Sequence, residues 1–165
     1  MMRLRDADVG DAGFLWEMLT HAASMSPGGE ASVAEAQRDT NLRSYVDGWP
    51  LDGDLGVIAV DEAGERLGAA WVRPLRGEAS PFKVATATEP EVVIGVTPGA
   101  RGRGVGAQLL EALLRRASGR YTAVVLSVRA TNPSVRLYER AGFVTVRHLV
   151  NRVGGDSLAM RRELV

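Results

Sequence analysis

The sequence predicts an α/β domain, a mixed sheet of about seven strands flanked by about four helices, and three observations carry that expectation. The first is a change of period in mid-chain. Val92, Val93, Ile94 and Val96 form an apolar run too short and too β-branched for a helix, and beyond Pro98 and a knot of glycines Leu109, Leu110, Leu113 and Leu114 recur at helical spacing. The second is the order of such segments, which reads β-α-α-β-β-β-α-β-α-β-β from end to end. The third is length: 165 residues make one ordinary domain, long enough to bury most of the surface exposed on unfolding. With no internal repeat and no linker, residues 1–165 are expected to form a single domain.

Met2-Arg3-Leu4-Arg5 alternates as a first strand, and Phe14, Leu15, Met18, Leu19 and Ala22 then repeat as one face of a helix beginning near Asp11. Ser26-Pro27-Gly28-Gly29 breaks it. Ser32 and Glu35 stand at capping-box spacing and predict a second helix through Leu42, Tyr45 and Val46, ended by Gly48 and Pro50. Leu55 to Val60 and Arg66 to Val72 read as a hairpin around Asp61-Glu62-Ala63-Gly64, and residues 76–88 as a loop before the central strand. After the Leu-rich helix, Tyr121 to Val128 is a buried strand. Asn132-Pro133 pairs a helix N-cap with a proline suited to the first helical position, opening a short helix that Gly142 stops. Phe143 to Val150 and Ser157 to Leu164 close the chain as a hairpin around 151–156.

Composition excludes several classes. There is no cysteine, so no disulfide framework, thiolate metal site or cysteine nucleophile. No apolar run approaches about 18 residues and no signal-peptide pattern opens the chain, which predicts a cytoplasmic protein without a membrane partner. The net charge of zero hides an asymmetry: residues 1–100 carry 8 basic and 16 acidic side chains, residues 101–165 carry 12 and 4. A neutral total argues against broad nucleic-acid binding, whereas a basic second part suits a compact polyanion.

That basic part begins at Arg101, Gly102, Arg103, Gly104, Val105 and Gly106, a turn between strand and helix. Missing side chains there let backbone N–H groups converge at a helix start whose dipole favours an anion, and two guanidiniums add charge. The turn is suited to phosphate. A Walker loop is excluded because Ala107 and Gln108 stand where Lys and Ser/Thr are needed, and the glycine spacing is G-x-G-x-G rather than the dinucleotide fingerprint G-x-G-x-x-G. Nucleotide hydrolysis lacks both the Lys and a metal-binding pair.

Arg101 to Gly106 instead resembles the coenzyme A signature of the GNAT superfamily of N-acetyltransferases: Gln or Arg, two residues, Gly, one residue, then Gly or Ala. Asn132 to Phe143, reading NPSVRLYERAGF, resembles the frequent family ending, and the segment order resembles the GNAT acyl-CoA fold over nearly the whole chain. The resemblance implies a sheet whose fourth and fifth strands splay apart, with the pantetheine arm of acetyl-CoA against the backbone of Ile94, Gly95 and Val96. The pyrophosphate is then expected on the amides from Gly102 to Ala107, with Arg101, Arg103 and Asn132 as further cofactor contacts. It implies acetyl transfer to a primary amine of a small molecule or peptide; the family also allows a homodimer. The competing reading, from another class, is a non-catalytic acyl-CoA sensor or interaction module on the same fold.

A thioester is already activated, so the acceptor amine can attack directly, without a covalent enzyme intermediate. The step needs a neutral amine, a stabilised oxyanion and a proton for the departing thiolate. The resemblance assigns the oxyanion to the backbone N–H of Val96 and the proton to the hydroxyl of Tyr138, a residue whose ordinary reading is half-buried core. Family members that acetylate protein N-termini often carry a basic Glu in L-E-V-R, but the stretch here is Leu126-Ser127-Val128-Arg129. The base is therefore expected to be Glu91, or less so Glu89, acting through water, against the alternative that each is a solvated charge at a strand end. His21 and His148 lack metal-ligand spacing and read as a first-helix surface or rim residue and a strand residue; no metal is expected.

Overall fold

A computed structural model describes residues 2–22, 30–74, 86, 88–150 and 155–164. The break expected at Ser26-Pro27-Gly28-Gly29, most of the loop at 76–88 and residues 151–154 of the closing turn lie outside them. In order the elements are β1 (Arg3–Asp6), α1 (Ala12–Ala22), α2 (Glu30–Arg38), α3 (Thr40–Arg43), β2 (Leu55–Val60), β3 (Arg66–Arg73), β4 (Glu91–Val96), α4 (Val105–Ala117), β5 (Ala123–Arg129), α5 (Ser134–Arg140), β6 (Val144–Val150) and β7 (Asp156–Glu163). Short 3₁₀ turns at Val9–Asp11 and Pro98–Ala100 precede α1 and α4.

The second helical region departs from expectation. Ser32 lies inside α2 rather than at its N-cap, and the helix does not run on to Val46. Asp39 ends it and starts another, its Oδ1 accepting the Leu42 N–H at 3.1 Å, as a short side chain that competes for backbone donors does.

The seven strands form one sheet in the order β1-β2-β3-β4-β5-β7-β6. All neighbours are antiparallel except β4 and β5, which run parallel and share a single register pair, Glu91 with Val125. Helices cover both faces. On one, Leu109, Leu110 and Leu113 of α4 are fully buried against Val57, Ala70, Val92 and Leu126; on the other, Leu15, Met18 and Leu19 of α1 pack with Ile58, Trp71 and Val93. Val92 and Val93 thus enter opposite cores, as the alternation of a strand requires.

Two contacts set α1 against the sheet. Asp11, fully buried at its N-terminal end, takes two hydrogen bonds from Arg5 at 2.8 Å and one from Arg66 at 2.9 Å. Burial would raise its carboxyl, but the Arg5 hydrogen bond, the Asp8 N–H and the two cations hold it at about 2. Near the other end, a Cβ on Gly95 would lie 2.5 Å from the Met18 carbonyl oxygen and 2.8 Å from its Cβ. Only glycine lets the last turn of α1 lie directly on β4.

Candidate functional site

The site begins where β4 and β5 part. β4 pairs with β3 over its whole length, from Glu91 opposite Arg73 to Val96 opposite Gly68, but with β5 only at Glu91. The Thr97 N–H donates to the Leu67 oxygen on the β3 side at 2.9 Å, and the Pro90 oxygen accepts from the Val125 N–H on the β5 side at 3.0 Å. Successive residues of a strand turn their backbone groups to opposite sides, so the N–H and C=O of Ile94 and Val96 face the gap. The Arg101 guanidinium folds back across it, 3.4 Å from the Val96 oxygen.

Beyond the gap lies the glycine turn. Gly102 and Gly104 have φ of 78° and 75°, left-handed values that side chains rarely adopt, and a Cβ on either would project into open space. The conformation, not crowding, selects glycine there. In α4 the first intrahelical bond runs from the Gln108 N–H to the Gly104 oxygen at 3.2 Å, leaving the N–H groups of Val105, Gly106 and Ala107 as the free donors of a helix N-terminus.

The third wall is α5. Asn132 Oδ1 accepts the Ser134 N–H at 2.8 Å and its carbonyl accepts from Val135 at 3.1 Å, while Pro133 is already helical at φ −56° and ψ −23°. Asn132 therefore performs the expected capping, with Pro133 in the first turn. One helical turn and a half further on, Tyr138 is half-buried beneath Phe143, ring centroids 5.9 Å apart and edge to face. Burial raises its hydroxyl to about 12, so it is a proton donor throughout the neutral range.

These walls enclose a cavity of about 410 Å³. Ile94, Gly95, Val96, Arg101, Gly102, Gly104, Val105, Gly106, Asn132 and Tyr138 all line it, ten of the residues singled out from the sequence, brought together from β4, the glycine turn and α5. Arg103 and Ala107 are not among its lining residues. Arg103 Nη2 lies 3.4 Å from the Gly99 oxygen, and Ala107 is among the residues lining a separate cavity between α4 and α5.

Glu91 is not at the cavity either, nor is it a solvated charge. It is 5% exposed on the α1 face of β4, and Tyr45 donates to its Oε2 at 2.5 Å. Its Oε1 is buried without a hydrogen-bond partner among the described residues. Desolvation, opposed by the Tyr45 bond, raises the carboxyl to about 7. Its cross-strand neighbour Arg73 is committed to Asp54 and to the Ser44 and Asp47 carbonyls. Glu89 is paired with Arg161 at 2.8 Å, which holds its carboxyl below the usual range. His21, read from the sequence as a first-helix surface or substrate-rim residue, does line the cavity, and its nearness to β4 depends on the packing of α1.

The arrangement brings an open helix N-terminus, backbone donors in a strand gap and a phenolic hydroxyl to one hollow. The pattern of the family described as Acetyltransferase (GNAT) domain matches residues 52–145. The N-alpha-acetyltransferase RimI of Mycobacterium tuberculosis is 33% identical over 151 residues, covering 82% of this chain and 90% of that protein. Two solved structures share the fold: a phosphinothricin acetyltransferase of Sinorhizobium meliloti in complex with AcCoA, with a TM-score of 0.68, 24% identity and coverage of 99% and 88% of the two chains; and the spermidine N-acetyltransferase of Vibrio cholerae in complex with CoA and spermine, with a TM-score of 0.66, 19% identity and coverage of 98% and 95%. The parted strands, the glycine turn and these likenesses together make the chain a member of the GNAT family of acetyl-CoA-dependent N-acetyltransferases.

Proposed function

We propose that the cavity between β4 and β5 binds acetyl-CoA and that the protein transfers its acetyl group to an amine of low basicity, with a peptide α-amine the favoured class. The observation that carries this reading is the convergence of the outward-facing N–H groups of Ile94 and Val96, the open N-terminus of α4 and Tyr138 on one hollow. The free amides of Val105 and Gly106 at the cavity hold the pyrophosphate, and Arg101 adds charge. Gly102, Arg103 and Gly104 shape the turn that presents them, and Asn132 contacts the cofactor while capping α5.

As the amine attacks the thioester carbonyl, the Val96 N–H stabilises the oxyanion and Tyr138 protonates the leaving thiolate. Glu91, the base expected from the sequence, lies off the cavity under Tyr45, and among the described residues no carboxylate lines the cavity. An amine that is already largely neutral suits such a site. Deprotonating a lysine amine of pKa about 10.4 at pH 7 costs about 4.6 kcal/mol, against about 1.4 for an α-amine near 8. The 33%-identical relative is an N-alpha-acetyltransferase, which agrees with an α-amine acceptor, and the polyamine of the structural neighbour supplies the contrasting class.

The test is release of CoA thiol with peptides bearing free N-termini, spermidine and ε-amine peptides as acceptors. Faster turnover of N-terminal peptides at neutral pH supports the reading; preference for spermidine replaces the acceptor class. Stabilisation by acetyl-CoA without turnover of any amine would instead mark an acyl-CoA sensor.

A further inference from the structure

Among the described residues that line the cavity, three carry ionisable side chains: His21, Arg101 and Tyr138. The Arg101 guanidinium is a donor with no acceptor site, and Tyr138 is held protonated by burial. We infer that His21 is the catalytic base of the transfer, its imidazole taking the proton of the attacking amine directly inside the cavity. This rests on the acetyltransferase reading above.

The geometry is set by Gly95. Because β4 has no side chain there, the Met18 backbone lies against it, and this contact pins the last turn of α1 to the stretch of β4 that has left β5. His21 is three residues beyond Met18, the next position on the same side of the helix, which carries it to the cavity shared by Ile94, Val96 and Tyr138. Glu91 lies four residues back along β4, about 13 Å from Gly95 at the rise of a strand, and is engaged by Tyr45. A proton leaving an amine at Val96 meets the imidazole first.

The charges around His21 suit the task. Partial burial lowers its pKa, the Arg101 cation from the glycine turn lowers it further, and Glu17, one turn earlier on α1, opposes them; Tyr138 of α5 is neutral. The ring is thus uncharged near neutral pH and free to accept. As the nitrogen–carbon bond forms, one proton passes from the amine nitrogen to the imidazole. The carbon–sulfur bond then breaks with its electron pair on sulfur, which takes the Tyr138 proton. The imidazolium returns its proton to the tyrosinate through solvent, so the enzyme is restored.

The experiment compares wild type, His21→Gln and Glu91→Gln with one acceptor, a short peptide with a free α-amine, from pH 6 to 9. We expect His21→Gln to retain its melting temperature and acetyl-CoA affinity, to lower kcat/KM at neutral pH on the order of 10²-fold, and to recover as pH rises and solvent supplies free amine. Added imidazole should restore part of the rate in His21→Gly. A His21→Gln profile parallel to wild type and within about twofold of it, or loss of the acidic limb only in Glu91→Gln, overturns the assignment. Wild type that releases no CoA thiol with any amine overturns the acetyltransferase reading itself, whereas turnover insensitive to His21 overturns this inference alone.

Discussion

The half-buried Tyr138 and the buried Glu91 both have raised pKa values, but their surroundings differ. The Tyr138 ring packs on Phe143 at the cavity wall, so Tyr138→Phe keeps the packing and deletes only the proton. That variant should bind acetyl-CoA and melt as wild type does while kcat falls on the order of 10²-fold; unchanged kcat in a thiol-release assay would return Tyr138 to a packing role. Glu91 makes a prediction about stability. Its carboxyl titrates near 7 in the fold against the ordinary 4.5, so between those values the native state keeps a proton that the unfolded chain has lost. Stability should therefore be highest below about pH 4.5 on this account and fall as pH rises toward 7, by roughly 3 kcal/mol in all. Glu91→Gln removes that slope. Urea unfolding at pH 5 and pH 7.5 decides the matter: equal pH differences in wild type and variant would mean that the carboxyl is ordinary.

At the scale of elements, the proposed function gives phosphate binding to α4 and the turn before it. The amides of Val105, Gly106 and Ala107 are free because the helix starts there, and Gly104 starts it at φ 75°. Gly104→Asp places a β-substituted residue in that conformation and a carboxylate beside the phosphates. The dissociation constant for CoA, measured by calorimetry, should rise at least tenfold; unchanged affinity would put the pyrophosphate elsewhere. The strand–glycine–helix succession was legible in the sequence because period and punctuation are local properties. So was the Asn132 cap. The division of α2 from α3 was not, since a single Asp39 among helix formers gives little local signal.

For the whole molecule, the chain's charge asymmetry is only partly a spatial one: the basic half, residues 101–165, builds β5, α5, β6 and β7 beyond the parted strands but also α4, which packs over β2, β3 and β4. Pairs such as Arg116 with Asp6 and Arg161 with Glu89 tie that half to the acidic one. Affinity for acetyl-CoA should fall as salt is raised from about 0.05 to 0.5 M, and Arg101→Ala should weaken binding and flatten the dependence; equal slopes would remove Arg101 from the phosphate site. Among the described residues no helix is long and apolar enough to cross a membrane. Family, most of the element order and the glycine turn could be read from the chain, because periodicity and punctuation depend on neighbours within a few positions. Tertiary structure alone placed Arg103 and Ala107 outside the cavity, buried Glu91 under Tyr45, committed Glu89 to Arg161 and carried His21 to the backbone of β4. Each of these depends on which face of a helix or strand meets a segment tens of residues away, and a periodic pattern identifies the buried face without naming what covers it.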